Sequence, residues 1–294
     1  MLRAHLVGML LLTAACMSPA YAQAPAQPAA PPPFATTKVE GTDNVYIFRY
    51  GGHQSMFIVT PQGVIATDPI GLRRPAAKVY IEEIQKITKA PIKYVIYSHS
   101  HFDHIAGGQP FKDLGAVFVA HRNAKARIAA LKPADVVPPD QVVDGKRNIT
   151  LGGTTLELNY VGKNHSDSTL VMRLPKEKII FTVDWIPLTV VQFRGMADTY
   201  LPDIEDGLKK VIAMDWNTLI PGHPGAGGRP TGTKDDARVA LAYLQDLSAA
   251  VKKAAEEGKC YPDAMRDVKL PKYENHPFLP MNVERYCDLY NRGI

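Results

Sequence analysis

The stretch YSHSHFDHIAGG, residues 97–108, places three histidines and an aspartate within six positions, directly behind the apolar run 94–97. Alternate residues of an extended segment point to one side, so His99 and His101 can reach one metal ion together. A turn after them presents Asp103 and His104 to a second ion. Imidazole nitrogens with an occasional carboxylate suit a borderline-soft cation such as Zn²⁺, and a catalytic zinc keeps one position open for water. A single histidine is ordinarily a packed or hydrogen-bonded residue. Four ligand-type side chains so close together, closed by Gly107 and Gly108, point to metal instead.

Outward from this stretch, residues 92–97 read as the strand that delivers it. Earlier, short strands at 45–48 and 56–66 are broken at Gly51-Gly52 and Pro61-Gln62-Gly63. Between them and the metal stretch, Ala77, Tyr80, Ile81, Ile84 and Ile87 recur at helical spacing after Pro75, and Pro91 ends that helix. Strand, helix, strand and polar loop then repeat, with a strand at 117–120 and a helix at 123–131. Further strands are predicted at 155–161, 169–173, 178–183 and 218–220, with helices at 204–213 and 234–257. Thr233 is the expected N-cap of the last helix, with Asp236 three residues on and Gly258 as its stop. The Pro-rich residues 131–145 read as a long surface connection between two halves. This alternation predicts a layered α/β domain whose loops at one end of the sheets carry function.

The metal stretch cannot supply a pair of ions alone. Three more candidates follow predicted strands: His165 in GKNHSDST, Asp184 in FTVDW and His223 in PGHPG. Asp184 is the most telling, because a carboxylate has two oxygens and can bridge two cations.

Composition frames these candidates. The chain has 294 residues, 46% hydrophobic and 21% charged, an ordinary globular balance with ample material for a core. Arg3 and His5 precede an apolar run at 6–15, followed by Ala20-Tyr21-Ala22, the layout of a secretory signal with cleavage after Ala22. Thr13-Ala14-Ala15-Cys16 loosely resembles a lipobox, but Thr13 stands where a branched aliphatic residue is usual. Residues 23–37, rich in Pro and Ala, are expected to form an extended tether, the main folded domain to run from 38 to 259, and residues 260–294 to pack on it as a tail. Loss of residues 1–22 leaves 33 basic and 29 acidic side chains, a net charge of about +4 without a dense basic cluster. Nothing there favours nucleic acid, and no transmembrane segment remains in the mature chain. Cys260 and Cys287, the cysteines left after export to the periplasm or medium, are expected to pair, which the chain-entropy model values at roughly 3 kcal/mol.

With its ordered motifs, His99-x-His101-x-Asp103-His104, then His165, Asp184 and His223, the sequence resembles the metallo-β-lactamase superfamily over most of residues 40–225. The resemblance implies a four-layer αββα sandwich and two zinc ions per chain, with iron or manganese as alternatives. It assigns His99, His101 and His165 to the first metal, Asp103, His104 and His223 to the second, and Asp184 to both. Asp68, in IATDPIG, matches an early aspartate of the family that supports the metal loop from behind. A bridging aspartate at position 184 is usual in hydroxyacyl-glutathione hydrolases and lactonases and is missing from zinc β-lactamases, so the chain looks more like the former. HSDST departs from the Gly-containing loop frequent after the third histidine.

The implied activity is hydrolysis of a carbonyl ester, thioester, lactone or lactam in a small-molecule substrate by hydroxide shared between the metals, with Asp103 orienting it and shuttling its proton. Alternatives are β-lactam cleavage and an iron-dependent sulfur dioxygenase of the same fold. A purely structural metal would be closed by four ligands, often cysteines, and none lie near. No G-x-S-x-G motif supports a serine nucleophile. The segment 185–202 reads either as an apolar wall of the substrate site, with Arg194 available to a carboxylate, or as core. The sequence is silent on oligomeric state.

Overall fold

The computed structural model describes residues 33–188, 191–273 and 276–294. The expected signal segment lies outside them. They build two sheets. The first holds seven strands in sequence order: β1 (Phe34–Lys38), β2 (Val45–Tyr50), β3 (His53–Thr60), β4 (Gly63–Thr67), β5 (Ile92–Ile96), β6 (Val117–His121) and β7 (Gln141–Val143). Pairing is antiparallel from β1 to β4 and parallel from β4 to β7. The second sheet holds β8 (Lys146–Leu151), β9 (Thr154–Asn159), β10 (Val171–Leu174), β11 (Ile179–Thr182) and β12 (Thr218–Pro221), in the order β12-β11-β10-β9-β8. Only β11 and β12 run parallel in it.

The layering follows from period-two alternation in strands whose two faces are both apolar. Ile47, Met56, Ile65, Ile96 and Val119 of the first sheet pack against Leu156, Leu158, Met172, Phe181 and Ile220 of the second. Their neighbours Phe48, Phe57, Ala66, Val95 and Phe118 face the other way. There they meet Tyr80 and Ile84 of α1 (Ala76–Ile87), Phe111 of α3 (Gln109–Asp113), and Ala124 and Ile128 of α4 (Arg122–Leu131). The short helix α2 (Phe102–Ile105) lies within the metal stretch itself. On the far side of the second sheet, Ile180 and Leu219 pack against Ile204 and Leu208 of α5 (Asp203–Ala213) and Tyr243, Leu244 and Leu247 of α6 (Lys234–Glu256). Helix, sheet, sheet and helix therefore stack as the αββα sandwich that the resemblance implied.

Three local readings change. Residues 34–37, assigned to the tether by composition, belong to β1, an edge strand paired with β2 from Phe34↔Tyr50 to Lys38↔Tyr46. The connection at 131–145 is not wholly surface: Val136 and Val137 are buried and its end forms β7. Trp185, Ile186, Leu188, Val191 and Met196 pack into the helix-side core, so these apolar residues are core rather than a wall of the site, while Phe193, Arg194 and Asp198 are exposed.

The expected cap of α6 is present. Thr233 Oγ1 accepts from the Asp235 N–H at 3.3 Å, and Asp236 Oδ2 accepts from the Thr233 N–H at 2.8 Å. Thr233→Ala is expected to cost about 1 kcal/mol, read as a lower urea midpoint at unchanged slope.

Beyond α6 come α7 (Pro262–Asp267) and α8 (Leu279–Arg292), and the disulfide Cys260–Cys287, with Cα atoms 5.6 Å apart, ties α8 to the turn between α6 and α7. Val283 and Tyr286 of α8 pack in the same core as α6. Among the described residues, no helix is long and apolar enough to cross a membrane.

Candidate metal centre

β5 ends at Ile96, and the chain turns out of the sheet through Ser98 to His101 before α2 begins. Close backbone packing holds this turn. Ile70 N–H donates to His104 O at 2.7 Å and Gly71 N–H to Ala106 O at 2.9 Å, binding the loop after β4 to the metal stretch. Gly107 has φ +79°, and a Cβ there would lie 2.7 Å from Gly71 Cα. The loops after β9, β11 and β12 bring His165, Asp184 and His223 to the same end. The His165 loop is fixed by Asn123 Nδ2 of α4, which donates to Asp167 O at 2.7 Å, and by Leu170 N–H, which donates to Ser98 O at 2.7 Å. Hydroxyls of Ser166 and Ser168, 2.8 Å apart, shape the turn after His165.

All seven sequence candidates converge, in two groups. His99, His101, His165 and Asp184 form one; Asp103, His104, His223 and a residue the sequence did not reveal, His53, form the other, each with its ligand-type atoms within 4.8 Å of one another. Asp184 stands between them. Its Oδ2 lies 3.4 Å from His99 Nε2, 3.5 Å from His165 Nε2 and 3.0 Å from His104 Nε2, while its Oδ1 lies 3.1 Å from His223 Nε2. Its backbone has φ +73°, sparsely populated for a residue with a side chain and a form of strain found at functional sites.

The donor set fits a cation. His101 Nδ1 and His165 Nε2 approach to 3.0 Å, and two ligands about 2.0 Å from a common tetrahedral ion would sit roughly 3.3 Å apart. Buried His99 Nε2, His104 Nε2 and Asp184 Oδ1 lack hydrogen-bond partners, which a buried polar atom tolerates only at a cost of about 1–3 kcal/mol. The opposite nitrogens are backed by protein atoms. Ser98 Oγ is 2.9 Å from His99 Nδ1, and His223 Nδ1 donates to Gly52 O at 2.6 Å. Asp68, buried, accepts from Ser98 N–H at 2.8 Å through Oδ1 and turns Oδ2 toward His104 Nδ1 at 4.0 Å. It thus stands behind the metal loop as the resemblance implied.

Burial lowers His99 to about 4 and His165 to about 3, against the pull of Asp184, so both imidazoles are neutral and offer lone pairs. His104 goes the other way: burial opposes its charge, but Asp184, Asp103 and Asp68 together raise it to about 9. Burial alone would push Asp184 up, yet His104, His223 and His99 hold its carboxyl well below the usual range. A cation must therefore displace the His104 proton. Apparent metal affinity is expected to climb as pH rises toward about 9 and then level off. Calorimetry in buffers of different ionisation enthalpy at pH 7 should register proton release, and a pH-independent affinity between 6 and 9 would contradict this charge balance.

Two neighbours were invisible to sequence reasoning. Arg74 Nη1 donates to His53 Nδ1 at 2.9 Å, which leaves the proton on Nε2, and that nitrogen faces Asp103 Oδ2 at 3.1 Å. In this tautomer His53 holds the Asp103 carboxylate as a donor. Burial raises Asp103, but the His53 bond and the His104 charge outweigh it and keep the group ionised. Asp198 lies at the mouth, 46% exposed, 3.4 Å from His165 Nδ1 and 3.8 Å from His101 Nδ1. Each was a lone residue without a motif. His53 arrives only through the β2–β3 hairpin, where it pairs with Tyr50.

Comparison with known proteins agrees with this picture. The family model described as "Metallo-beta-lactamase superfamily" matches residues 50–223. The alpha subunit of a 2,4-dinitroanisole O-demethylase from Nocardioides sp. (strain JS1661) is 25% identical over 199 residues, 65% of this chain and 58% of that protein. A type 2 metallo-beta-lactamase from Bacillus cereus is 26% identical over 196 residues, 63% of this chain and 75% of the other. Among solved structures, a metallo-beta-lactamase from Pontibacter korlensis aligns with a TM-score of 0.61 at 21% identity, covering 72% of this chain and 99% of that one. Since the family match takes in more than half of the chain and every residue of the two groups, the chain belongs to the metallo-beta-lactamase superfamily of metal-dependent hydrolases.

Proposed function

We propose that this protein is an exported dinuclear zinc hydrolase that cleaves a carbonyl ester, thioester, lactone or lactam in a small molecule. The observation that carries the reading is Asp184, whose two oxygens face both groups of histidines. His99, His101 and His165 would hold one ion, Asp103, His104 and His223 the other, and Asp184 both. Two divalent cations so held acidify a water toward neutral pH and polarise a substrate carbonyl.

The remaining work falls to the chain. Asp103, 40% exposed and ionised, accepts a hydrogen bond from the attacking water and orients it. His53 Nε2–H steadies that carboxylate, and Arg74 selects the tautomer in which it can do so. The buried flank formed by Asp68, Ser98 and His99 keeps water from the rear of the site. Export is supported by the Cys260–Cys287 disulfide, which persists in oxidising compartments.

β-Lactam opening is the second reading, favoured by the Bacillus cereus relative. Metal analysis of the purified protein, followed by assay against an ester, a thioester, a lactone, a β-lactam and 2,4-dinitroanisole, separates the readings. Hydrolysis lost on chelation and restored by Zn²⁺ is expected. Less than one metal per chain, or undiminished turnover in His101→Ala, would sink the proposal.

A further inference from the structure

The segment beyond the family match, residues 224–294, has no assigned part in the site. We propose that it has one: α8 holds the loop that carries Asp198, and Asp198 is a positioning residue for His165. The inference rests on the reading of His165 as a metal ligand.

The argument begins with the imidazole. His165 Nε2 faces Asp184 and His101, so its lone pair belongs on that nitrogen and its proton on Nδ1. A ligand histidine of this kind is oriented by an acceptor on the other side of the ring, often a carboxylate. For His99 and His223 that place is taken by Ser98 and Gly52, both from loops of the first sheet, while Asp68 Oδ2 lies 4.0 Å from His104 Nδ1, beyond hydrogen-bond reach. At His165 Nδ1 it is taken by Asp198 Oδ1, 3.4 Å away, a small rotation of a half-exposed side chain from a hydrogen bond.

What keeps Asp198 there comes from two directions. On the site side, Tyr200 N–H donates to Asn164 O at 2.7 Å, stitching the loop to the residue before His165. On the other side is α8. Its Asn282, fully buried, accepts from Gly195 N–H at 2.9 Å, donates to Gln192 O at 3.0 Å and donates to Tyr243 Oη of α6 at 2.8 Å. Arg285 Nη2 donates to Thr199 O at 3.0 Å, next to Asp198. A buried amide whose bonds go to loop backbone on one side and to the core on the other is a clamp. The disulfide fixes α8, for its part, to the turn between α6 and α7.

The test reads metal binding, not turnover. Full-length protein, stripped of metal by chelation, is titrated with Co²⁺ and followed by its visible absorption. Asp198→Ala should weaken binding at the three-histidine group by about 10–100-fold and alter its absorption bands. Asp198→Asn keeps an acceptor oxygen in the same place and should retain most of the affinity. Asn282→Ala should show a smaller loss of the same kind, and little further loss when combined with Asp198→Ala, because the two act through one path. If Asn282→Ala does not fold, Arg285→Ala removes the Thr199 tie from the surface instead. Unchanged affinity and bands in Asp198→Ala would overturn the role of Asp198; additive losses would overturn the clamp. Wild-type protein that takes up no Co²⁺ would instead defeat the ligand assignment on which the inference stands.

Discussion

Asp184→Ala should empty both metal groups and lower hydrolysis by about 10³-fold or more, well beyond the roughly 10–100-fold that loss of an outer hydrogen-bond partner costs. Its carboxylate approaches His99, His165 and His104 through one oxygen and His223 through the other. Without it, five histidines and Asp103 would have to hold two dications in a buried site with one formal negative charge between them. His104 would also lose the carboxylate chiefly responsible for keeping it charged, and in the metal-free protein it would become neutral rather than remain a buried unpaired cation. The fold should therefore survive. Plasma emission analysis and far-UV circular dichroism together check the prediction: near-wild-type metal content would refute the bridging role, and a lost helix signal would show that the residue is structural first.

The second large effect is expected at Gly107→Ala. A Cβ there would meet Gly71 Cα at 2.7 Å and Gly71 O at 3.2 Å, and the backbone sits at φ +79°. Strain in the left-handed region costs about 1 kcal/mol or more, and overpacking against backbone that cannot rotate away adds roughly 1–3 kcal/mol. A total near 3 kcal/mol should lower Tm by about 6–12 °C. Gly115→Ala is the control, since its φ is +82° but nothing lies within 4 Å of the added carbon. It should lose only the backbone part. Equal losses in the two variants would mean that the Gly71–Gly107 contact is not what holds the metal stretch.

The seven ligand-type residues were legible because metal binding concentrates rare residue types. Four of them sit in one hexapeptide, and His165, Asp184 and His223 each stand just past a strand. The layers were legible through alternation, as Phe48, Phe57 and Phe118 face helices while Ile47, Met56 and Val119 face the other sheet. His53 and Asp198 were not. His53 acts on Asp103, 50 positions on, and is turned by Arg74, 21 positions on, while Asp198 is placed by a loop held from α8. β1 hid in Ala/Pro composition because an edge strand needs backbone pairing more than an apolar pattern. Whether the apolar residues of 185–202 form a wall or core was open because the burial of Trp185, Ile186, Leu188, Val191 and Met196 depends on α6 and α8, which follow them in the chain.

Gln54 has a consequence of its own. Its backbone N–H donates to Gly222 O at 2.7 Å, and its side-chain amide donates to Pro221 O and Pro230 O, each at 3.0 Å. This one residue of β3 welds the first sheet to the end of β12 in the second. The first sheet and its loops carry His53, His99, His101, Asp103 and His104; the second carries His165, Asp184 and His223. Neither portion of the polypeptide owns a complete group of ligands. Residues 33–145 and 146–294, produced as separate fragments, should each bind Co²⁺ weakly and recover the native affinity only on reassembly. A candidate ligand group therefore exists only where the two portions meet.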